Sequence, residues 1–453
     1  MYNVSIIMSP GVLQKPAGQG VRLLAVGDVH LGTRPGSLPD DLSAAGINTR
    51  DLTPAAALEG AVTAAIDHGV DAVLFAGDVV EDTNARFEAL VPLEAAVVRL
   101  AEAGIRAIAV AGNHDVEALP RLAERLEGFE LLGAGGLWEA TTVNGADGSS
   151  VEILGWSFPE RQVRSSPVAR LLAEPVPRAG AGIPRIGLLH ADLDASGGSY
   201  APVARRELDA AGVDAWLLGH IHVPSLGAGG DHRGYLGSLV GLDPSETGVH
   251  GPWLIRVDAD GVHLRQLPIA PLRWERVDAE VREIEHAEDL GELILDAAEQ
   301  RAREIHREGA TPQALGLRVR LVGATPIYED LRRWLDAESW RGIQRLVENT
   351  LVFVDKVIDA MELSIDLSAI AAGDDPPALL ARKLLLLDAD EGRVLLDAAR
   401  AELRKTADST NWLPLEDARG AVDPLSDDAL RAILKRASTA ALHSLLAQRE
   451  ETS

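Results

Sequence analysis

Short apolar runs alternate with longer amphipathic segments through the first half of the chain. Five of these runs end abruptly in glycine or polar residues, at 21–26, 71–76, 106–111, 185–189 and 214–218. Runs of this length are typical of strands that are buried on both faces. Helical periodicity separates several of them, at 54–69, 87–104 and 201–212. This strand–helix–strand alternation predicts a parallel sheet core with right-handed crossovers.

The pattern changes after residue 137. Residues 137–158 read as two strands around a Gly/Asn/Asp turn, and Asp260-Gly261 reads as a second hairpin turn, so we expect a mixed sheet packed on an antiparallel one. A small α/β unit follows, with strands at 317–323 and 350–357 and helices at 289–306 and 327–347. From about residue 361 the pattern is helical, at 377–389, 393–405 and 427–449.

Composition narrows the class of protein. A chain of 453 residues predicts two or three domains. It contains no cysteine, which excludes disulfides and thiolate metal sites and fits a reducing cytoplasm. Residues 1–20 read as a disordered tail, and no run approaches the ~18 apolar residues of a membrane span. We therefore expect a soluble, cytoplasmic protein without a membrane partner.

The charge balance is strongly acidic. Asp and Glu number 69 against 43 Lys and Arg, for a formal net charge of −26. Taken alone, this balance argues against a nucleic-acid partner, because phosphate binding requires local positive charge. Bound metal ions or an Arg-rich patch could reverse the balance locally.

Side chains that can ligate metals follow all five predicted strands. Taken singly, each is more simply a turn residue or a hydrogen-bonded histidine. Taken together they should converge, because ligand groups in such sheets gather beyond the carboxyl ends of the strands. Imidazole and carboxylate without thiols suit Mn, Fe or Zn, and seven ligands suit two ions ~3.5–4 Å apart, as in phosphatases and nucleases. The seven are Asp28, His30, Asp78, Asn113, His190, His220 and His222.

The order GDVH, GD, GNHD, H, GHIH resembles the calcineurin-like metallophosphoesterase superfamily over roughly residues 20–272. The resemblance implies an α/β fold in which a β-sandwich is flanked by helices. It also implies that His114 donates a proton to the leaving oxygen and that Asp115 orients His114. The implied ligands of one ion are Asp28, His30, Asp78 and His222, and those of the other are Asp78, Asn113, His190 and His220, so that Asp78 bridges the pair.

A narrower resemblance rests on DVHLG, LLHADLDASGGSYAP, YLGSLVGLDPSETGVHGPWLIRV and LRVRLVGATP. These segments are similar to the SbcD-type DNA repair exonucleases, and to their YhaO-like branch in particular. The resemblance implies a nuclease domain at 21–272, an α/β capping domain at 273–360 that helps to grip DNA, and a helical region at 361–453. It further implies two Mn ions, a homodimer and an SMC-like ATPase partner of the SbcC type, for which the apolar C-terminal helices are a possible docking surface.

Three residues are predicted to position the substrate. Glu81 stands three residues after Asp78, where this family commonly has Asp or His, and this departure bears on exonuclease efficiency more than on metal binding. Arg318 and Arg320 share one face of a predicted strand within 301–345, which carries nine Arg against six carboxylates. A solvated surface with ordinary ion pairs is an equally good interpretation of that basic bias.

Two other functions stay open at this level. The first is a small-molecule phosphoesterase that acts on cyclic nucleotides or phosphomonoesters with the same metals. The catalytic motifs do not separate it from a nuclease, although the additional residues beyond 272 favour the nuclease. The second is a non-catalytic scaffold, which the intact ligand set makes the weaker hypothesis.

Overall fold

The computed structural model describes residues 20–451, apart from 40–41, 43–45, 82–87, 196, 365, 388, 390–391, 408–415, 418–419 and 422–424. The predicted disordered tail lies outside these residues, except for Gly20.

The elements are numbered in chain order. The strands are β1 (Val21–Val26), β2 (Ala72–Ala76), β3 (Arg106–Val110), β4 (Phe129–Leu131), β5 (Trp138–Asn144), β6 (Ser150–Trp156), β7 (Arg185–His190), β8 (Asp192–Leu193), β9 (Pro202–Val203), β10 (Ala215–Gly219), β11 (Arg233–Tyr235), β12 (Trp253–Asp258), β13 (Gly261–Gln266), β14 (Leu272–Glu280), β15 (Ala314–Thr325), β16 (Gln344–Val347), β17 (Thr350–Leu363), β18 (Glu416–Asp417) and β19 (Gly420–Ala421). The helices are α1 (Pro54–Asp67), α2 (Leu90–Glu102), α3 (Ala118–Ala123), α4 (Pro167–Ala173), α5 (Arg205–Ala210), α6 (Leu290–Arg307), α7 (Tyr328–Asp336), α8 (Leu367–Ala371), α9 (Pro376–Leu386), α10 (Arg393–Ala407) and α11 (Asp427–Glu451).

Two mixed sheets form the first part of the fold. The six-stranded sheet has the order β13-β12-β1-β2-β3-β4, with β1 to β4 parallel and β12 and β13 antiparallel at one edge. The five-stranded sheet has the order β11-β10-β7-β6-β5, and only β5 runs antiparallel to its neighbour. The five predicted strands are confirmed, but they are divided between two sheets, and the expected antiparallel second sheet is mostly parallel.

The two sheets enclose one apolar layer and are covered by helices on their outer faces. Leu23, Leu74 and Ile108 of the first sheet belong to the same buried cluster as Ile186 and Leu217 of the second. Burial of each such side chain contributes ~1.5–3 kcal/mol. Helices α1 and α2 cover the outer face of the first sheet, and α4 and α5 cover that of the second. The predicted fold class, a β-sandwich flanked by helices, is confirmed.

A third sheet follows, with the order β14-β15-β17-β16. Its Trp274 packs edge-to-face on Phe353, with 5.5 Å between the ring centres, and both belong to the buried cluster that includes the outer face of the first sheet. The helix predicted for 327–347 is wrong in its second half. Helix α7 ends at Asp336, Gly342 adopts a left-handed φ of 81°, and β16 pairs with β17.

The chain divides into two compact units. The larger runs to Ala279 and adds Glu288–Leu321 and Leu335–Asp359, and the smaller comprises Glu280–Ala287, Val322–Trp334 and Ala360–Ser453. This division passes through the predicted capping domain, whose limits at 273 and 360 remain a prediction.

The smaller unit contains the predicted C-terminal helices. In α9, Asp375 caps the helix by accepting from the N–H of Ala378, and Ala381 and Leu384 pack with Leu442 of α11. Leu379 of the same helix is 56% exposed, so α11 covers only part of its apolar surface. In the described part of the chain, no helix is long and apolar enough to cross a bilayer.

A buried ion pair fixes the segment that precedes β7. The Nε of Arg185 donates to Glu152 at 2.6 Å, and its two terminal nitrogens donate to the carbonyls of Val176 and Pro177. The side chains of Arg185 and Glu152 are only 6% and 3% exposed. We expect Arg185→Ala to lower the free energy of unfolding by ~3–5 kcal/mol, because Glu152 would be left charged and buried.

Urea denaturation of the purified variant measures this loss. The matched control is Arg341→Ala, which breaks the exposed pair with Glu338 and should change stability only slightly. Equal stability of the Arg185 variant and wild type would contradict the role of this pair.

Candidate metal centre

The seven predicted metal ligands lie beyond the carboxyl ends of five strands. Asp28 and His30 follow β1, Asp78 follows β2 and Asn113 follows β3, while His190 ends β7 and His220 and His222 follow β10. Asp28, His30, Asp78 and His220 all have positive φ, between 44° and 108°. Non-glycine residues rarely adopt this conformation, and it concentrates at functional sites.

One group joins the end of β1 to the end of β10. Carboxylate and imidazole atoms of Asp28, His30 and His222 lie within 4.8 Å of one another. The Nε2 atoms of the two histidines face each other at 3.1 Å. Oδ1 of Asp28 accepts the N–H of His220, whereas its buried Oδ2 has no hydrogen-bond partner in the described structure.

A second group lies deeper, around His190. Atoms of His190, Asp28 and Asp78 also lie within 4.8 Å of one another. Nε2 of His190 is 3.3 Å from Oδ2 of Asp78 and 3.0 Å from Oδ1 of Asn113. The same Oδ2 of Asp78 is 3.8 Å from Nε2 of His30. Asp78 thus faces nitrogens of both groups, as the predicted bridging role requires.

Glycines allow these segments to approach closely. Gly77 has a φ of 87°, and a Cβ there would lie 2.7 Å from Nδ1 of His190. A Cβ on Gly112 would collide with Oδ1 of Asp78. These two glycines are therefore required by close packing at the cluster, because any side chain would displace a predicted ligand.

The pKa shifts within the cluster favour the binding of a positively charged ion. Burial raises the pKa of Asp28. Burial also opposes ionisation of Asp78, but His190, His30 and the N–H of His114 outweigh it and lower its pKa. Burial and the neighbouring His190 lower the pKa of His220 to about 4, so that its ring is neutral and able to ligate.

The side chains of the cluster are chemically suited to bind divalent metal ions. Two buried carboxylates close together are costly without compensating positive charge, and the buried Oδ2 of Asp28 has no hydrogen-bond partner in the described structure. Carboxylate and imidazole are suitable ligands for first-row divalent ions. The ring of His220 lies 5.2 Å from that of His190 and outside both close groups, so that its place among the ligands stays a prediction.

The carboxylate of Asp115, predicted to orient His114, is hydrogen-bonded to backbone N–H groups. Its Oδ2 accepts the N–H of Val79 at 2.7 Å, and its Oδ1 accepts the N–H of Gly112 at 2.7 Å. Burial, with Asp78 nearby, raises its pKa well above the ordinary range. Asp115 therefore ties the end of β3 to the end of β2, and its role in orienting His114 stays a prediction.

The carboxylate of Glu81 contacts the ring of His114. Its oxygens lie 3.0 and 3.2 Å from Nδ1 of His114, and Oε2 is 3.4 Å from Nδ1 of His30. Hydrogen bonds from His30, and then from His114, lower the pKa of Glu81 to about 2 despite partial burial. The sequence marked Glu81 as a substrate-positioning residue, whereas the structure places it between two imidazoles.

We expect Glu81→Gln to lower turnover ~10–100-fold at saturating metal, because the variant loses the anion that holds the rings of His114 and His30. Steady-state hydrolysis of a small phosphodiester, measured over a metal titration, tests this. An unchanged kcat, or a loss that excess metal restores completely, would show that Glu81 does not act through His114.

Arg318 and Arg320 are engaged by carboxylates of their own sheet. Arg318 donates to Asp355 of β17 at 2.8 Å, and Arg320 forms a two-point pair with Asp278 of β14. Seven of the nine arginines between 301 and 345 form ion pairs with Asp or Glu, namely Arg301, Arg303, Arg318, Arg320, Arg333, Arg341 and Arg345. The structure therefore favours ordinary ion pairs for this segment over an open basic surface.

One contact to a predicted ligand was missed from the sequence. Oε1 of Glu246 lies 2.7 Å from Nδ1 of His222. Glu246 follows His222 by 24 residues and lies in a segment without regular secondary structure between β11 and β12. No periodicity marks such a residue, so only the fold could reveal it.

Two segments of the chain match known families. Residues 21–224 match the calcineurin-like phosphoesterase family, and residues 274–362 match the middle domain of the metallophosphoesterase YhaO. The first match contains all seven predicted metal ligands, together with Glu81 and His114.

Individual proteins similar to this chain include two relatives by sequence and a solved structure. An uncharacterized metallophosphoesterase, YhaO of Bacillus subtilis, is 28% identical over 52% of the chain and 57% of its own length. The DNA double-strand break repair protein Mre11 of Haloferax volcanii is 29% identical over 64% of the chain and 59% of its own length. A solved dimetal phosphatase from Danio rerio is 14% identical, with a TM-score of 0.35, over 55% of this chain and 96% of that one. The chain thus spans less than two thirds of either curated relative.

Proposed function

We propose that this chain, which carries a calcineurin-like phosphoesterase domain at residues 21–224, is a metal-dependent phosphodiesterase that hydrolyses DNA. The observation that carries the proposal is the convergence of two buried carboxylates, the amide of Asn113 and the imidazoles of His30, His190 and His222, with His114 at their edge. A pair of divalent ions, when bound there, supplies a nucleophilic hydroxide and neutralises charge that develops on the phosphoryl oxygens.

The protein's own residues have separate tasks in this reaction. Asp78 faces nitrogens of both groups and would hold the two ions at a fixed separation. The His114 side chain is 46% exposed, and Glu81 occupies its Nδ1. Its Nε2 is therefore the ring nitrogen placed to give a proton to the leaving oxygen of a substrate that enters from solvent.

Two observations make DNA the proposed substrate: the similarity to a DNA repair protein and the presence of the third sheet, β14-β15-β17-β16. This third sheet is called the appended sheet below. The Haloferax relative is named for DNA double-strand break repair, and its similarity extends over 64% of this chain. Residues 274–362 add a sheet that a small-substrate phosphodiesterase would not need. We propose Mn as the metal, with Fe or Zn as alternatives.

The acidic net charge indicates that the protein needs a partner to bind DNA. The net charge is −26, and the arginines of the appended sheet are largely neutralised within the chain. Affinity for phosphates should then be low in the isolated protein. We propose that the enzyme works as a homodimer with an SMC-like ATPase of the SbcC type, and that this partner supplies most of the DNA affinity.

A small-molecule phosphoesterase is the second candidate function. The observation that favours it is the same neutralised arginine surface, because a cyclic nucleotide or a phosphomonoester needs no extended basic groove. The metal cluster itself serves either substrate.

One assay separates the two functions. The full-length protein is incubated with Mn²⁺ and end-labelled duplex DNA, beside bis(p-nitrophenyl) phosphate and a cyclic nucleotide, with and without an SbcC-type ATPase. DNA cleavage that the ATPase enhances is expected. Hydrolysis of the small substrates with no cleavage of DNA in either condition would reject the nuclease and leave the second candidate.

A further inference from the structure

We propose that Glu246 is a positioning residue for the metal ligand His222, and that one of the two metal sites depends on it. Oε1 of Glu246 lies 2.7 Å from Nδ1 of His222, and the Glu246 side chain is only 12% exposed. A carboxylate acceptor at Nδ1 selects the tautomer that carries its proton there. The lone pair then lies on Nε2, which is 3.1 Å from Nε2 of His30.

Glu246 is itself fixed by two further donors. Its Oε2 accepts the N–H of Leu242 at 2.8 Å and the hydroxyl of Ser238 at 3.3 Å. The main-chain N–H of Ser238 donates to the carbonyl of His222 at 2.9 Å, and Ser238 also bridges to Gly27, the residue before Asp28. The segment 238–246 thus contacts His222 as well as the backbone next to Asp28, and both of these ligands belong to the first group.

The appended sheet anchors this segment. Nε1 of Trp274 in β14 donates to the carbonyl of Gly241 at 3.1 Å, and the N–H of Gly248 donates to the carbonyl of Trp274 at 2.9 Å. Trp274 is 1% exposed, and a Cβ on Gly241 would lie 2.7 Å from its ring. Glu246 and Trp274 both lie outside residues 21–224, so the orientation of His222 depends on residues outside the phosphoesterase match.

The second group of ligands is held differently. Nδ1 of His190 lies 3.1 Å from the main-chain carbonyl of Ala76, which belongs to the core strand β2. Loss of Glu246 should therefore loosen the site that contains His222 and leave the site around His190 intact. This inference rests on the proposed function only for the presence of two metal ions.

The test compares Glu246→Gln with wild type. Metal-free, full-length protein is titrated with Mn²⁺ by calorimetry and by electron paramagnetic resonance of free Mn²⁺. One of two binding events should weaken ~10–100-fold in the variant, with the other unchanged. The matched control is Asp243→Asn, which alters a carboxylate of the same segment that accepts from Ser245, and it should bind both ions as wild type does.

The outcomes are distinct. Two unchanged binding events, or two events weakened equally, would overturn the proposed role of Glu246. Wild-type protein that binds no Mn²⁺ would reject the proposed function instead. If wild type binds no Mn²⁺, or if the Glu246→Gln variant does not fold, the role of Glu246 is tested by ring ¹⁵N spectra of histidine-labelled, metal-free wild type. The spectra are recorded at a pH where the imidazole of His222 is neutral. A proton on Nδ1 of His222 supports the role of Glu246, and a proton on Nε2 overturns it.

Discussion

Asp78→Asn is expected to abolish phosphodiester hydrolysis, with a loss of at least ~10³-fold in kcat/KM. Oδ2 of Asp78 faces Nε2 of both His30 and His190, so one substitution removes a charge shared by both groups. Metal ions contribute several kcal/mol of charge stabilisation to phosphoryl transfer, and each ~1.4 kcal/mol is a factor of ten in rate. Bound metal, measured by mass spectrometry, should fall with the activity.

The fold should tolerate this change. Asparagine keeps an Oδ1 acceptor for the N–H of His114, which donates to Oδ1 of Asp78 at 2.9 Å. The matched control is Asp71→Asn, at the opposite end of β2, where a buried carboxylate accepts the N–H of Arg22. This control should remain active. Retention of full activity and of both ions by Asp78→Asn would show that Asp78 does not bridge a metal pair.

His114→Ala is expected to lower turnover by ~10²–10⁴-fold while two ions stay bound, because general acid catalysis typically contributes an effect of that size. His114 lies at the edge of the cluster against Glu81 and outside the two groups that contain Asp28. Measurement of kcat and of metal stoichiometry on one preparation distinguishes a proton donor from a ligand.

The matched control for His114 is His263→Ala. His263 is 44% exposed and pairs with Asp258, much as His114 is 46% exposed and pairs with Glu81. His263→Ala should leave turnover unchanged. If His114→Ala loses an ion instead, His114 is a ligand, together with His30 and Glu81, whose atoms also lie within 4.8 Å of it.

The ends of the strands could be predicted from the sequence, because a buried apolar run stops there and side chains that can bind metal follow directly. Runs such as 21–26 are buried almost throughout, and glycine permits the turn at the end of several of them, as at Gly77. Ligand-type side chains directly after such runs must meet at one edge. The division of β1 and β7 between two sheets was not predictable, because a strand buried on both faces has the same pattern in either sheet.

The environment of His114 was not predictable from chain order. Asp115 is its neighbour in sequence, yet neighbouring side chains leave the backbone in different directions, and Asp115 points to the N–H groups of Gly112 and Val79. Glu81 reaches His114 from the end of another strand. The same holds for Glu246 and His222, whose contact depends on the path of an irregular segment.

Reconstitution of metal-stripped protein tests the central claim most directly. Chelator-treated, full-length enzyme is supplied stepwise with Mn²⁺ while bound metal and hydrolysis of bis(p-nitrophenyl) phosphate are followed together. We predict no hydrolysis without metal, two ions bound per chain, and activity that rises with occupancy of the second site. Hydrolysis that survives complete metal removal, or two bound ions in Asp78→Asn with wild-type activity, would contradict a dinuclear centre at this cluster.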